Sequence, residues 1–575
     1  MRPFLMAWCP PGCTDQDATS SLLRASTHEE RLLVTSVSTP PERSTTEWRG
    51  LYLSGNVRLD DRGAVLRLLP ASDHGAASDQ ELVLRAWRSV GSGVLEHLTG
   101  AFGFAMWDSA RAALLVVRDH LGLQPVYWTT TPGGSVLVGS DPQLLLAHPQ
   151  VDARLDNRAV LAEFVNEGRY LLSRSLHLAI AKVPPASVLH VEPGRTEVRE
   201  YWIPKPMPVE RSPEAWVEGL AERVRVAVAA AVEGEGPYGA HLSGGLDSAA
   251  VSCHAQRVLL ARGQALLGVW SWSPPPPDKP VDGEHSRIAR LAMQLGAPLH
   301  HTALTAADLR RSMSDALQPG VQTDLLHEEL VADSAARTGV KVMLSGWGGD
   351  EFASFNGRGL MAWQLRQRRY GWAARGAYAR STGAGPRRMV RAARTLVRQH
   401  QVPDSPWVPR EIEAAMGALR AQGWDVRDVL PDGDAVIRAA FELKPPAAAA
   451  TTQLELLGRG HLTKRIETWA HAGSRVGLEY RYPLLDRRVV EYAVSIPDAV
   501  HLRGGSRWVF RAAVQDLVGS ALAWGQLKQE PAKWSAQAQL LSQVEPELPQ
   551  GDADAARIAQ WWFRARRELI RLSQQ

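Results

Sequence analysis

Two short glycine-rich segments each hold a carboxylate where a tight turn would present it to an anion. The first is SGGLDS, residues 243–248, set between the apolar run YGAHL and the helical pattern AVSCHAQRVLLARG. A Walker-type phosphate loop needs a lysine followed by a hydroxyl residue after its glycines, and none is present. Backbone N–H groups of residues 244–247 at a helix N-terminus form an anion nest instead. Ser243 and Ser248 can add hydroxyl donors. Asp247 would repel a phosphate unless a cation lay between them, so the motif implies Mg²⁺. The second segment is LSGWGGDEF, residues 344–352, directly after the strand-like VKVM. Its glycines at 346, 348 and 349 let backbone approach a ligand closely, and Asp350 supplies a second carboxylate. Asp247 and Asp350 are therefore the expected Mg²⁺ ligands.

Both turns must sit on elements that aim them at one point. From Tyr238 to Gly346 strand-like and helical segments alternate, and this pattern predicts a parallel sheet covered by helices on both faces. Ligands then bind beyond the carboxyl ends of the strands, where both glycine turns fall. Upstream, GLYLSGNVRL, GAFGFAMWD, AALLVVRD, PVYWTTT and GSVLVGSD read as short strands, with a helix over residues 79–87 capped by Ser78. That region is α+β with stacked sheets. The proline-rich stretch 204–213 separates it from the long helix pattern EAWVEGLAERVRVAVAAAVEG, and beyond Phe352 the chain is mainly helical. The expected division is 1–203, a linker at 204–213, and 214–575 with a helical insert at about 353–460.

Bulk properties narrow the function classes. The 575 residues are 45% hydrophobic and 22% charged, as in globular proteins, and the net charge of +4 does not favour a nucleic-acid partner. Three cysteines build no disulfide framework, and Cys9 and Cys13 in CPPGC lack the partners of a zinc site. No apolar run reaches the roughly 18 residues of a membrane span, and the N-terminus lacks a signal-peptide core, so no membrane and a cytoplasmic location are expected. Between Glu351 and Asp404 lie eleven arginines and no acidic residue. That stretch is either a solvated helical face or a basic surface for an acidic peptide or partner.

SGGLDS resembles the pyrophosphate loop of the ATP-pyrophosphatases. Together with SGWGGDE and VGLEYRYPLLDRRVVEYAVSIP (476–497), it is similar to the synthetase domain of asparagine synthetases and their relatives. LEHLTGAFGFAMWDSARAALLVVRDHLGLQPVYW (95–128) resembles the glutaminase domain of that family. The resemblance implies a glutaminase-like Ntn-type sandwich, then an ATP-pyrophosphatase sheet domain with a helical C-terminal part. It also implies ATP and Mg²⁺ as cofactors, adenylylation of a carboxylate, and attack by an amine.

Two departures redirect that reading. The family's glutaminase uses an N-terminal cysteine whose α-amine is the base, whereas this chain begins Met1-Arg2-Pro3 and its first cysteine is Cys9. Glutamine hydrolysis is therefore expected to be absent. Trp347 stands where asparagine synthetases carry glutamate and β-lactam-forming relatives carry tyrosine. An indole cannot accept a proton from an amine, and the WGGDE turn looks most like that of lasso-peptide macrolactam synthetases. The resemblance then implies a precursor peptide as substrate, with a leader-binding protein and a leader peptidase as partners. It points to Lys528, then Lys533, as the lysine that neutralises the adenylate, and to Glu467 as the catalytic base. Leu242, the strand end 269–271, Ser345 and Gly346 would hold adenine beside Ser243, Gly244, Gly245, Leu246, Asp247, Ser248 and Asp350. Glu479 and Arg481 are either an internal ion pair or a substrate contact, and Asp486 is a helix cap. His241, His300 and His301 read as packing or surface residues. The expected activity is a lasso-peptide cyclase; an ammonia-using asparagine synthetase, a β-lactam-type synthetase and a silent binding scaffold are the alternatives.

Overall fold

The computed structural model describes residues 3–10, 13–25, 30–35, 46–207, 211–234, 236–272, 284–308, 326–381, 385–525 and 553–573. A pair of sheets stacked face to face forms the N-terminal region. The first is built from Phe4–Cys9 (β1), Glu30–Thr35 (β2), Tyr127–Thr130 (β7), Val136–Gly139 (β8) and Ala181–Lys182 (β9), in the order β2-β1-β8-β7-β9. The other is built from Thr46–Trp48 (β3), Leu51–Leu59 (β4), Gly100–Asp108 (β5), Ala113–Arg118 (β6), Ser187–Glu192 (β10) and Arg195–Glu200 (β11), in the order β11-β10-β6-β5-β4-β3. Strand alternation sends Phe4, Met6 and Trp8 inward against Ala105, Trp107, Leu114 and Val116, which fills the space between the sheets. Phe102, Phe104 and Met106 face the other way and pack on the helix Asp79–Val90, whose N-terminus Ser78 caps by accepting from the Glu81 N–H.

The C-terminal region is built on a five-stranded parallel sheet of Tyr238–His241 (β12), Gly268–Ser271 (β13), Leu299–His301 (β14), Val342–Leu344 (β15) and Glu479–Arg481 (β16), in the order β14-β13-β12-β15-β16. Its central strands are apolar because both faces are covered. Ala240, Leu242, Val342 and Leu344 meet Pro213–Ala231 (α1), Leu246–Ala261 (α2) and Trp508–Val518 on one face. Trp270, Met343 and Tyr480 meet Leu326–Arg337 (α3) and His461–Arg475 (α4) on the other. The chain winds outward from β12 through β13 to β14, then returns to β15 on the opposite side. That reversal opens a crevice between β12 and β15, which is where such sheets bind ligands.

The helical remainder does not form a separate layer. The helices Arg410–Ala421 and Ala553–Ser573 pack on Asn157–Val165 of the N-terminal region, sharing a core of Leu161, Val165, Leu419, Ile558 and Trp561. In the insert, the helix Gly385–His400 exposes Arg387, Arg391, Arg394 and Arg398, as expected of a solvated basic face. No helix among the described residues is long and apolar enough to cross a membrane.

Buried polar contacts join the two regions. Arg118 from β6 donates to Glu467 Oε1 at 2.8 Å and Lys182 from β9 donates to Oε2 at 2.6 Å, with all three side chains almost wholly buried. Tyr127 and His471 add a 3.0 Å contact, and Lys464 donates to the Glu163 carbonyl at 2.6 Å. This arrangement corrects the expectation that Glu467 is a catalytic base. Burial alone would raise its pKa, but Lys182 and Arg118 outweigh burial and hold it below the usual carboxylate range. Such a group is a committed anion on the domain junction, turned from the nucleotide crevice, and not a proton acceptor.

Removing one partner of a buried ion group leaves uncompensated charge, at a cost of about 3–5 kcal/mol. Glu467→Ala strands two cations and is expected to lower the thermal midpoint by several degrees, read by differential scanning fluorimetry. Because the folded pKa lies below the ordinary value of about 4.3, this contribution is present above that pH and is lost on acidification through the folded pKa. The wild-type advantage over the variant should therefore shrink in acid.

Candidate active site

The site grows out of the two turns. After β12, Gly244 takes a left-handed conformation (φ +68°) that turns the chain into α2, which begins at Leu246 with no side-chain cap. Its first N–H groups therefore lack intrahelical partners and are available to an anion. Ser243 and Ser248 are 3.1 Å apart through their hydroxyls, and Ser248 also accepts from the Ser243 N–H at 3.1 Å. They lock the loop to itself, an outcome the sequence did not suggest when it offered them as phosphate donors.

The second turn, after β15, lies directly on the first. A Cβ on Gly346 would come within 2.6 Å of the Ser248 nitrogen, and one on Gly349 within 2.5 Å of Asp247 Oδ1. Glycine at both positions is therefore a requirement of loop-on-loop contact. This contact brings the two carboxylates to one group. Arg507, held in the left-handed region at φ +61°, donates to Asp247 Oδ2 at 3.1 Å and pairs with Asp350 Oδ1 through its other terminal nitrogen. Ser354 donates to Asp350 Oδ1 and accepts from Arg507 at 3.3 Å. Asp247 Oδ1 is buried without a hydrogen-bond partner.

Burial first, then the charge of Asp350, push the Asp247 carboxyl up to about 7, with Arg507 opposing them incompletely. Asp350 is shifted upward as well, chiefly by burial. Two carboxylates that resist ionisation side by side, one with an orphaned oxygen, fit a divalent cation, which would satisfy both. Asp247 and Asp350 would hold it.

These turns border a cavity of about 450 Å³. Of the nucleotide-binding positions expected from the sequence, all but Gly244 lie on its wall; Trp270 and Ser271 of β13 do so too, whereas Val269 is in the core. Lys528 and Lys533 lie outside the described residues. The remaining wall is aromatic: Trp272, Trp347 and Trp469, with Arg465 stacked 4.0 Å over the Trp347 ring. Glu479 and Arg481 are an ion pair at 2.7 Å, and Arg481 also braces the end of α1 through the carbonyls of Ala231 and Glu233. Asp486 caps the helix Arg487–Ser495 by accepting from the Arg488 N–H at 2.8 Å. His300 stacks on Trp270 with centroids 4.6 Å apart.

Three residues at the site, Arg507, His241 and Glu328, take places that the sequence does not announce. Arg507 follows Gly-Gly-Ser in a segment with no charge pattern of its own. His241 is on the cavity wall, its Nε2 2.9 Å from Glu328 Oε1, and Glu328 is completely buried on α3. Alternation along β12 carried a signal for His241: Ala240 and Leu242 face α2, so His241 must face α3 and α4.

In the N-terminal region Cys9 ends β1, buried, with its sulfur 3.3 Å from the Ser135 hydroxyl. Burial pushes its thiol up to about 11, the reverse of an activated nucleophile.

Residues 219–565 match the Asparagine synthase family and residues 69–202 match the Glutamine amidotransferase domain, so the chain belongs to the asparagine synthase family. It is 31% identical over 195 residues to asparagine synthetase [glutamine-hydrolyzing] 3 of Bacillus subtilis, covering 34% of this chain and 31% of that protein. It is 28% identical over 298 residues to amidase chyE of Penicillium rubens, covering 48% of this chain and 43% of that protein. The chain thus spans less than half the length of these relatives. Among solved structures, a glutamine phosphoribosylpyrophosphate amidotransferase from B. subtilis aligns at 13% identity and a TM-score of 0.20, over 45% of this chain and 62% of that one.

Asp247→Asn and Asp350→Asn each remove one cation-binding charge, and each is expected to reduce Mg²⁺-dependent pyrophosphate release by about 100-fold or more, a loss typical of one preorganised electrostatic group. Neither should lower the thermal midpoint, since neutralising a penalised carboxyl relieves the fold. The raised Asp247 carboxyl also sets a pH dependence. Protonated below about 7, it must release its proton to bind a cation. Mg²⁺–nucleotide affinity measured by calorimetry is expected to weaken as pH falls through that value, with proton uptake by the buffer.

Proposed function

We propose that this member of the asparagine synthase family is an ATP-dependent amide ligase that forms AMP and pyrophosphate, and that it is a lasso-peptide cyclase. The observation that carries the ligase reading is the convergence of Asp247 and Asp350 on one guanidinium beside the uncapped start of α2. That arrangement suits a nucleoside triphosphate and its cation. A magnesium ion held there would neutralise the phosphate oxygens and make pyrophosphate a better leaving group.

The chain's own groups supply the rest. In the first half a peptide side-chain carboxylate attacks the α-phosphorus of ATP, and the bond to pyrophosphate breaks. The N–H groups opening α2 receive the departing charge, beside the Arg507 guanidinium, whose Nε has no hydrogen-bond partner among the described residues. In the second half the peptide's N-terminal amine attacks the acyl carbon, the amide bond forms, and AMP departs with the bonding electrons. Lys528, with Lys533 as second candidate, is proposed to neutralise charge on the adenylate.

Three features support a peptide over ammonia. Trp347 occupies the turn between the metal carboxylate and α4, where it offers ring surface and no base. Trp272 and Trp469 extend that surface along the cavity wall, giving apolar area that a peptide can cover and ammonia cannot. Cys9, buried at the end of β1 with its thiol pushed up to about 11, is not an activated nucleophile for glutamine. A short peptide held with its amine beside its own activated carboxyl reacts as a unimolecular system, which is the entropic advantage a ring closure needs. A leader-binding protein and a leader peptidase would act beforehand, in the cytoplasm, to expose that amine. The name of one relative, asparagine synthetase [glutamine-hydrolyzing] 3, favours a second reading, synthesis of asparagine, here with free ammonia as the nitrogen source.

Pyrophosphate release separates these readings. The cyclase is expected to release pyrophosphate only with a leader-free precursor peptide and to yield a product lighter by one water in mass spectrometry. Release with free aspartate and ammonium would establish the second reading, and no release with any carboxylate would leave a binding scaffold.

A further inference from the structure

Glu467 is locked into the domain junction and Trp347 cannot take a proton, so the amide-forming half lacks a base among the residues so far assigned. The cavity wall holds one. His241 ends β12 two residues before the pyrophosphate loop, and its ring borders the cavity. Its Nε2 lies 2.9 Å from Glu328 Oε1. The Glu328 carboxylate is wholly buried and also accepts from the Tyr480 hydroxyl and, at 3.2 Å, from the Trp272 indole. A carboxylate surrounded by donors accepts and does not donate. The neutral imidazole must therefore carry its proton on Nε2, which leaves the Nδ1 lone pair as the basic site. Among the described residues Nδ1 has no hydrogen-bond partner, and the ring stands on the cavity wall.

The ring cannot swing away from this orientation. It stacks on Trp469 with centroids 5.2 Å apart and on Tyr480 at 6.0 Å, and Trp272 meets its edge at 5.6 Å. Among the described residues the titratable and charged groups packed around it are the Glu328 carboxylate from α3 and the Tyr480 hydroxyl from β16, with Arg465 beside Trp469 on the cavity side of α4; the end of β13 contributes the Trp272 ring. Trp469 also lies 6.3 Å from Trp347, so the histidine and the turn that departs from the family's pattern line one aromatic wall. The other histidine–carboxylate pair nearby, His461 with Glu351 at 3.1 Å, does not border the cavity.

We propose that His241 is the general base of the amide-forming step, oriented by Glu328 as a positioning residue; this rests on the ligase reading above. The neutral amine attacks the acyl carbon, and the nitrogen–carbon bond forms as the carbon–oxygen bond to AMP breaks. The proton lost by that nitrogen passes to Nδ1. The resulting imidazolium is held against the Glu328 carboxylate until it returns the proton to solvent. A neutral imidazole is a suitable acceptor for the proton that an attacking amine loses.

The test separates the two half-reactions. With the precursor peptide as acid, His241→Gln is expected to keep ATP–pyrophosphate exchange within about threefold of wild type. It should also keep hydroxamate formation when hydroxylamine, largely unprotonated at neutral pH, replaces the peptide amine. Ring closure should fall about 100-fold or more. Glu328→Gln retains hydrogen bonding but removes the anion, and is expected to move the acid limb of ring closure to lower pH while leaving exchange in place. Parallel loss of exchange and closure in the His241 variant, or an unmoved acid limb in the Glu328 variant, would overturn the assignment. Absence of exchange in the wild type with every carboxylate would overturn the ligase reading itself.

Discussion

The structure depends on the contact between two glycine turns on adjacent parallel strands. β12 and β15 are hydrogen-bonded neighbours, yet 100 residues of chain separate the loops that follow them. Nothing local holds Asp247 near Asp350. Contact is achieved because residues 346 and 349 have no side chains and the SGGLDS backbone occupies the space they leave. Bringing like charges together in a poorly solvated crevice is unfavourable, and the raised Asp247 carboxyl reports that cost. Arg507 offsets part of it from a strained left-handed backbone position, the kind of local strain that concentrates at functional sites. The site is thus preorganised for a cation it must gain, with an arginine meanwhile bridging the pair.

A second constraint acts through α4. This helix carries Arg465 and Trp469 on the side that lines the cavity and Glu467 on the side that enters the N-terminal domain. Arg118 and Lys182 grip that carboxylate from two strands in different sheets. Excellent geometry and full pairing are what a buried ion group needs to avoid a net penalty, and its best-attested use is to fix register. The N-terminal domain therefore sets where the aromatic wall stands, whatever has become of its own chemistry. That gives the N-terminal domain a structural role at the site across the junction.

Much of this was legible in the sequence. Strand alternation, the Ser78 and Asp486 caps and the two acidic turns are local signals, and each produced the element or placement expected. The parallel sheet followed from strand–helix alternation, and the adjacency of the turns followed from the sheet. The failures share one cause: they depend on partners far away in the chain. Glu467 sits in a helix whose sequence matches a catalytic pattern, but its role is decided by Arg118 and Lys182, nearly 350 and 285 residues distant. Arg507 acquires meaning only once two other loops have met around it. His241 looked like packing because one histidine in an apolar strand usually is; the buried Glu328 that changes its chemistry lies 87 residues on.

In the proposed reaction the cavity must protect an acyl-adenylate. An acyl-adenylate is hydrolysed by the same attack that an amine makes, so a site that activates amines also activates water unless water is kept out. Tryptophan serves here because it excludes solvent from a large area at little conformational cost, while its one polar atom can be tied down, as Trp272 is on Glu328. In such a low-dielectric wall a bare base would be neutralised by desolvation, and an isolated carboxylate would take up a proton of its own. Linking the histidine to a buried, fully engaged carboxylate avoids both outcomes. The Nε2 contact with Glu328 sets the tautomer, and an imidazolium formed there would have that carboxylate as its counterion. The proposed base thus draws its orientation and its counterion from the wall in which it stands.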